Sequence, residues 1–216
     1  MIRLHHVPGS RSFRVLWLME ELGLEAELQN WSLTDGSLRS PEFRALSPAG
    51  RIPALEYEDA VVFESGAIVE YLTEQTGRLA PKPGSPERAA FLGWVHFAET
   101  QANLVQNLNI HHIFLRPESA RSIAMMKLDT RRLEVTMRAL EDHLISHEWL
   151  LSEFSAADCM LGFNIDAMFR FVRGDAYPAL TAYRDRVQAR PAYKAALEKA
   201  GGDDIYAFDF YEIPDA

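Results

Sequence analysis

The sequence predicts two parts in succession, an α/β unit followed by an all-helical unit. Short apolar runs typical of strands alternate with helical patterns up to about residue 77, whereas apolar residues beyond residue 87 recur at spacings of three and four. Three prolines crowd into residues 80–86 and restrict that stretch to extended backbone. We therefore predict domains at 1–79 and 87–216, joined by a linker at 80–86.

Composition excludes several classes of protein. The 216 residues are 48% hydrophobic and 25% charged, as in soluble globular proteins, and the net charge of −9 disfavours nucleic acid and anionic membranes as partners. No apolar run is long enough to span a membrane, and no signal-peptide pattern opens the chain. The single cysteine, Cys159, cannot form an intrachain disulfide. These features predict a cytoplasmic protein.

The N-terminal unit is predicted to follow the order βαβαββα. The predicted strands are 2–6, 26–33, 52–57 and 60–63, and the predicted helices are 13–22, 41–46 and 65–76. Gly23 and Gly77 are natural helix ends, and Glu58 with Asp59 separates the two strands of a hairpin.

The second half carries helical patterns at 94–108 and 133–144. Ser155 followed three residues later by Asp158 is a capping-box variant that predicts the start of a buried helix running to Val172. Two further helices are expected to begin at Pro178 and Pro191. Because a cap contributes to folding, loss of the Asp158 side chain should lower stability without altering any active site.

Three motifs, in order, resemble the cytosolic glutathione S-transferase family. They are SRSFRVLWLMEELG at 10–23, LSPAGRIPAL at 46–55 and FESGAIVEYL at 63–72. The resemblance covers nearly the whole chain and is strongest to bacterial and fungal enzymes similar to the yeast transferases, with theta-like and beta-like character. It implies a thioredoxin-like N-terminal domain that binds glutathione, a helical domain that supplies most of an apolar second-substrate pocket, and a homodimer.

The implied reaction requires the glutathione thiol to ionise, although a free thiol has a pKa near ~8.5. A hydroxyl that donates to the sulfur anion contributes about 1.5–3 kcal/mol and a helix N-terminus about 0.3–1 kcal/mol, enough together to lower that pKa by roughly two units. Ser10 aligns with the activating serine of theta-like members, Ser12 is the competing candidate, and Arg11 between them is a candidate for electrostatic assistance. The alternative is that either serine simply caps the first helix. Arg11 stands where beta-class members carry a cysteine, so cysteine-based exchange at this position is not supported.

Pro53 resembles the family's cis-proline, which exposes the backbone of Ile52 to the cysteinyl part of glutathione. Taken alone, such a proline is usually trans at a strand start. Arg51, and more loosely Arg39, resemble the basic residues that meet the glycyl carboxylate; exposed arginines with no ligand are the alternative.

Glu64 and Ser65 precede the third predicted helix. Ser65 offers a hydroxyl and an N–H to the γ-glutamyl carboxylate, and Glu64 would hold the α-ammonium group. The alternative is an ordinary serine cap beside an acid at the positive end of a helix.

The residues that bind the second substrate do not form a recognisable sequence motif. Asn103, Asn107 and His111 give the first long helix a polar stretch that is a candidate lining for its pocket, and solvent or the partner subunit would explain the stretch equally well. No metal site is predicted, because His143 and His147 lack an HExxH pattern.

The segment 201–216 is acidic and aromatic, and its aromatic residues predict that it packs back on the body of the protein. Either the segment packs beside the second-substrate pocket, or it is a docked terminus that does not contact a ligand.

The predicted function is conjugation of the glutathione thiolate to a small hydrophobic electrophile, with glutathione as co-substrate. The alternatives are glutathione-dependent peroxidase, reductase or dehalogenase chemistry, and a non-catalytic protein that binds glutathione or another ligand.

Overall fold

The computed structural model describes residues 1–202 and 205–214. The chain divides into two compact units. The first comprises residues 1–88 and a segment that begins at 188, and the second comprises residues 89–187 and a segment that begins at 205. The first unit is α/β and the second is helical, which confirms the predicted fold class.

A four-stranded sheet forms the centre of the first unit. Its strands are β1 (Ile2–His6), β2 (Glu27–Asn30), β3 (Ala54–Tyr57) and β4 (Ala60–Phe63). Their order is β2-β1-β3-β4, with β1 parallel to β2 and antiparallel to β3, and β3 antiparallel to β4. This is the βαβαββα arrangement that the sequence predicts.

The second strand is shorter than predicted. The predicted span was 26–33, whereas β2 ends at Asn30, which pairs with His6. Beyond it the side chains of Ser32 and Asp35 accept backbone N–H groups of Thr34 and Ser37, at 3.2 and 2.8 Å. These local bonds favour a turn over a longer strand.

In the described part of the first unit the α-helices are α1 (Ser12–Leu22), α2 (Pro41–Leu46), α3 (Ser65–Thr76) and, from the C-terminal segment, α8 (Pro191–Ala200). Helix α1 is buried along most of its length, and α8 packs against it. The ring of Tyr193 meets the rings of Phe13 and Trp17 edge-on, with centroids 5.3 and 5.0 Å apart. The α/β unit therefore takes its last helix from a segment distant in sequence.

The second unit contains α4 (Arg88–Asn109), α5 (Ile123–Leu144), α6 (Ala156–Phe169) and α7 (Pro178–Ala189). The prediction that α6 continues to Val172 was wrong. The N–H groups of Phe171 and Val172 both turn back to the carbonyl of Met168, at 3.0 Å, and this turn ends the helix. Among residues 1–202 and 205–214, no helix combines the length and apolar character needed to cross a bilayer.

The C-terminal segment packs back on the helical unit, as predicted, within residues 205–214. The N–H of Tyr211 donates to the carbonyl of Arg170 at 2.8 Å, and Arg170 pairs with Asp209 at 2.9 Å. Arg173 pairs with Glu212 at 2.8 Å. The remaining acids of the predicted tail, Asp203, Asp204 and Asp215, lie outside the described residues.

Candidate functional site

The strand register brings the three sequence motifs to one end of the sheet. His5 of β1 pairs with Ala54 of β3, and Ala54 pairs with Phe63 of β4. The turn that follows β1, the proline that precedes β3 and the residues that follow β4 therefore all leave the sheet at the same end.

Ser10 and Ser12 lie in contact at the start of α1. Their Oγ atoms are 2.7 Å apart, and Ser10 Oγ also accepts the N–H of Ser12 at 3.3 Å. Ser10 is half-buried, whereas Ser12 is 0% exposed. Only Ser10 therefore presents part of its surface to a ligand in solution.

Ser12 has its hydrogen-bonding capacity occupied by the protein. Its Oγ lies 2.8 Å from Nδ1 of His6, accepts the N–H of Val7 at 3.3 Å and lies 3.2 Å from the carbonyl of Val7. A hydroxyl donates one hydrogen and accepts about two, so with Ser10 as the fourth neighbour the capacity of Ser12 is filled, and Nδ1 of His6 and the carbonyl of Val7 compete for its one hydrogen. Arg11, between the two serines, is half-buried and is the N-cap residue of α1.

A buried cation supports the start of α3. Arg14, 0% exposed in α1, donates from one guanidinium nitrogen to Ser65 Oγ at 3.0 Å, and Ser65 is only 2% exposed. Glu64, the exposed N-cap residue of α3, has φ 71° and ψ 123°, a backbone conformation that residues other than glycine rarely adopt. The first-turn N–H groups of a helix have no acceptor within the helix, so this end of α3 is suited to an anion.

The loop before β3 is held by its own backbone. Ser47 Oγ donates to the carbonyl of Arg51 at 2.7 Å and accepts its N–H at 3.2 Å. Gly50 has φ +63°, and a Cβ at this position would lie 2.6 Å from the carbonyl oxygen of Leu38, so the turn requires glycine. The Ile52–Pro53 peptide bond is cis, as predicted.

The two candidate arginines, Arg51 and Arg39, are exposed. Arg51 follows the glycine turn, and Arg39 ends a short 3-10 helix at Ser37–Arg39. Neither forms an ion pair with another residue in the described part of the chain.

The second-substrate candidates all lie in the helical unit. Asn103 and Asn107 are exposed one turn apart on α4, and His111 lies in the following π-helical turn. The ring of His111 accepts the N–H of Ser122 at 3.3 Å through Nδ1. Their role as a pocket lining stays a prediction.

His6 and Arg14, which contact Ser12 and Ser65, were not predicted from the sequence. His6 carries a weak signal, because strand alternation places it on the face opposite His5. His5 accordingly faces Glu56 and Trp31, while His6 faces Ser12. Arg14 is the only charged residue in the run FRVLWLM at 13–19, and a charge in a buried run is a signal for a buried partner.

Known proteins are similar to this chain in sequence and in fold. A model of the glutathione S-transferase N-terminal domain matches residues 1–74. Glutathione S-transferase 3 of Schizosaccharomyces pombe is 29% identical, with 98% of this chain and 93% of the relative covered. Disulfide-bond oxidoreductase YfcG of Escherichia coli is 32% identical, with 93% and 96% covered.

The fold of this chain is also similar to that of a solved glutathione S-transferase structure. The theta class glutathione S-transferase of Xanthomonas axonopodis pv. citri, crystallised with glutathione bound, has a TM-score of 0.79 at 29% identity, with 91% of this chain and 96% of that chain covered. The thioredoxin-like unit with these three motifs, followed by a helical unit, matches the class of glutathione transferases. The chain belongs to the glutathione S-transferase family.

Proposed function

We propose that this protein is a glutathione transferase in which the Ser10 hydroxyl stabilises the glutathione thiolate. The observation that carries the proposal is the half-buried Ser10 hydroxyl at the start of α1, a helix whose first turn contains no acidic residue of its own. A thiolate beside Ser10 receives the hydroxyl hydrogen and lies at the positive end of the helix. The thiolate then attacks a small hydrophobic electrophile, whose leaving group or double bond accepts the electron pair.

Burial favours Ser10 over Ser12 in this role. Ser12 is 0% exposed and bonded to His6 and Val7, so a ligand reaches its hydroxyl only if the turn opens. Ser12 holds Ser10 in place instead, through its N–H and its Oγ. Arg11 adds positive charge beside the sulfur.

The rest of glutathione is assigned to the same end of the sheet. The γ-glutamyl carboxylate takes the start of α3, with Ser65 and the first-turn N–H groups as donors, and exposed Glu64 takes the α-ammonium group. The backbone of Ile52, beside cis-Pro53, pairs with the cysteinyl part. Arg51 and Arg39 meet the glycyl carboxylate, since both are exposed cations.

Exposed apolar residues support a homodimer. Val61 and Phe63 lie on the edge strand β4 with 47% and 45% exposed, and Leu128 and Val135 on α5 are 40% and 70% exposed. Exposed apolar surface of this kind favours association. Sedimentation velocity should give twice the chain mass, and Val135→Glu with Phe63→Glu should shift the protein to the monomer.

A second candidate is glutathione-dependent reduction of disulfides, favoured by the 32% identical relative named a disulfide-bond oxidoreductase. The only cysteine of this chain, Cys159, is 0% exposed, so the reacting thiol must come from glutathione. Activation by Ser10 is common to both candidates.

Product analysis separates the two candidates. With an aryl halide and glutathione, the transferase forms a thioether and releases halide. With a glutathione mixed disulfide, the reductase forms oxidised glutathione and releases a thiol. Ser10→Ala should lower kcat/KM for the preferred substrate by about 10-fold or more, as expected from losing a hydrogen bond to an anion. Absence of both activities together with absence of glutathione binding would refute the proposal.

A further inference from the structure

A buried chain of hydrogen bonds runs inward from Ser10. Ser10 Oγ lies 2.7 Å from Ser12 Oγ, which lies 2.8 Å from Nδ1 of His6. Nε2 of His6 lies 2.9 Å from the carbonyl oxygen of Ala200. Ser12 and His6 are both 0% exposed, so solvent does not reach the inner members of the chain.

The carbonyl of Ala200 sets the direction of these bonds. A carbonyl oxygen only accepts, so Nε2 of His6 carries the hydrogen and Nδ1 of the neutral imidazole is an acceptor. Burial lowers the pKa of His6, which keeps the imidazole neutral before a ligand binds. Nδ1 of His6 and the carbonyl of Val7 both accept from Ser12, at 2.8 and 3.2 Å, and the shorter contact places the Ser12 hydrogen toward His6. With its hydrogen used in this way, Ser12 accepts from Ser10, so both hydroxyl hydrogens point inward.

Two helix ends polarise the chain. Ala200 is the last residue of α8, and carbonyl groups at the C-terminal end of a helix stabilise a cation. Ser12 is the first residue of α1, and the N-terminal end of a helix stabilises an anion. This polarity favours a positive His6 together with a negative sulfur beside Ser10.

Resting on the function proposed above, we propose that His6 receives the proton of the bound glutathione thiol through Ser10 and Ser12. The thiol hydrogen passes to Ser10 Oγ, the Ser10 hydrogen passes to Ser12 Oγ, and the Ser12 hydrogen passes to Nδ1 of His6. One S–H bond is lost and one N–H bond is gained, while each serine loses and regains one O–H bond. The products are the thiolate and the His6 imidazolium, so atoms and charge balance without another reactant.

The transfer also reverses the direction of the chain. The imidazolium donates to Ser12, Ser12 donates to Ser10, and Ser10 donates to the thiolate. The hydroxyl that receives the thiol proton thereby becomes the hydroxyl that stabilises the anion. The hydroxyl hydrogens of Ser10 and Ser12 can therefore point toward His6 before glutathione binds, and Ser10 can still donate to the thiolate afterwards.

Charged side chains on the neighbouring helices have partners of their own. Arg14 of α1 donates to Ser65 Oγ, and the ion pairs are Arg190 with Glu21 and Lys199 with Glu20. The thiolate is therefore the counter-charge that forms together with the imidazolium, and an opposite charge raises the pKa of His6 against the effect of burial.

Nitrogen NMR of the histidine rings in the full chain tests the transfer. On addition of glutathione near pH 7, the Nδ1 signal of His6 should move from the unprotonated to the protonated range. S-methylglutathione has no thiol proton and should leave that signal unprotonated. His5, which faces Glu56, is the internal control and should not change.

Two variants separate proton acceptance from structural support. His6→Asn keeps an oxygen acceptor for Ser12 but cannot take a proton, so thiolate formation should release about one more proton to buffer than in wild type, measured by calorimetry in two buffers. Ser12→Ala interrupts the chain and should leave His6 neutral when glutathione binds, and this variant carries the test if His6→Asn does not fold.

The outcomes distinguish this inference from the proposed function. If bound glutathione shows thiolate absorbance while His6 stays neutral, the proton transfer is refuted and activation by Ser10 stands. If bound glutathione remains a thiol in wild type, both proposals fail. If His6 is protonated only when a thiol is present, the transfer is supported.

Discussion

Helices α6 and α1 both begin beside a serine, yet the two helix ends are used in opposite ways. At α6 the protein supplies its own anion, because Asp158 accepts the N–H of Ser155 at 2.8 Å, the N–H of Leu150 at 3.1 Å and the hydroxyl of Tyr183 at 2.7 Å. The carboxylate is 0% exposed. This end of the helix is closed to ligands.

At α1 the N-cap residue is Arg11, whose side chain does not cap the helix in the described structure, and the first turn contains no acid. The start of α3 is similar, with no capping side chain from Glu64 and no acid in its first turn. A serine at a helix start thus stabilises the fold where the chain also supplies the anion, as at Ser155 and Asp158. Where the chain supplies none, the same geometry is available to an external anion such as a thiolate or carboxylate.

The largest expected effect is at the closed end. Asp158→Ala removes the capping box and leaves buried donors of Leu150 and Tyr183 without their acceptor, so the free energy of unfolding should fall by about 3–5 kcal/mol. Urea unfolding measures the loss, and Asp142→Ala, at an exposed position of α5, is the control. The pKa of the bound glutathione thiol should be unchanged in the folded fraction. A loss below about 1 kcal/mol would contradict the role given to Asp158.

The closed end should also give a pH signature. Burial raises the pKa of Asp158 to about 6, against its hydrogen bonds to Tyr183, Ser155 and Leu150, which lower it. The folded state then binds a proton that the unfolded state, with a carboxyl pKa near ~3.9, has released. The part of the stability that is linked to this proton is therefore full below about pH 4 and is lost as the pH rises through about 6, while the hydrogen bonds that Asp158 accepts persist at higher pH.

Comparison with Asp158→Asn measures this signature. The stability advantage of wild type over the variant should shrink by roughly 3 kcal/mol between about pH 4 and pH 7, since two pKa units correspond to that free energy. A difference that stays constant over this range would show that Asp158 ionises in the folded state as it does in the unfolded state.

At the open end of α3, Ser65→Ala should weaken glutathione binding by about 10-fold, because one hydrogen bond to the carboxylate is lost. The same change leaves Arg14 without its acceptor Ser65 Oγ, so stability is measured in parallel. Calorimetry gives Kd, and an exposed serine, Ser146→Ala, is the control. Unchanged affinity would remove Ser65 from the binding site.

The smallest expected effect comes from giving α1 an anion of its own. Arg11→Asp should stabilise the helix by about 0.3–1 kcal/mol and raise the pKa of the bound thiol by less than about one unit, since the new carboxylate competes with the sulfur. Arg11→Gln is the matched control, because it removes the positive charge without adding a negative one. If Arg11→Asp lowered the thiol pKa, the thiolate would not lie at this helix end.

Local signals predicted the fold and the three segments that meet at one end of the sheet. The helix start at Ser155 depends on neighbours in sequence and could be recognised from them, whereas the cis bond at Pro53 was predicted from the family motif. His6 and Arg14 could not be recognised in this way. His6 bonds to Ala200, 194 residues away, and Arg14 to Ser65, 51 residues away. Such contacts depend on the packing of α8 and α3 against the sheet unit, which no local pattern encodes.

β2 and α6 are shorter than predicted for a similar reason. Side chains such as Asp35 and a turn at Met168 satisfy backbone groups that a longer strand or helix would have used. The apolar residues that suggested a longer α6 are buried outside the helix, since Phe171 and Val172 are 4% and 5% exposed without being helical.

The most direct test of the difference between the two helix ends is a matched pair of variants, Ser10→Ala and Ser155→Ala. The pKa of bound glutathione is followed by ultraviolet thiolate absorbance against pH, and unfolding is measured on the same samples. Ser10→Ala should raise the thiol pKa by about one to two units with little loss of stability, and Ser155→Ala should lower stability by about 0.5–2 kcal/mol with the thiol pKa unchanged. An unchanged thiol pKa in Ser10→Ala would show that the Ser10 hydroxyl does not stabilise the thiolate.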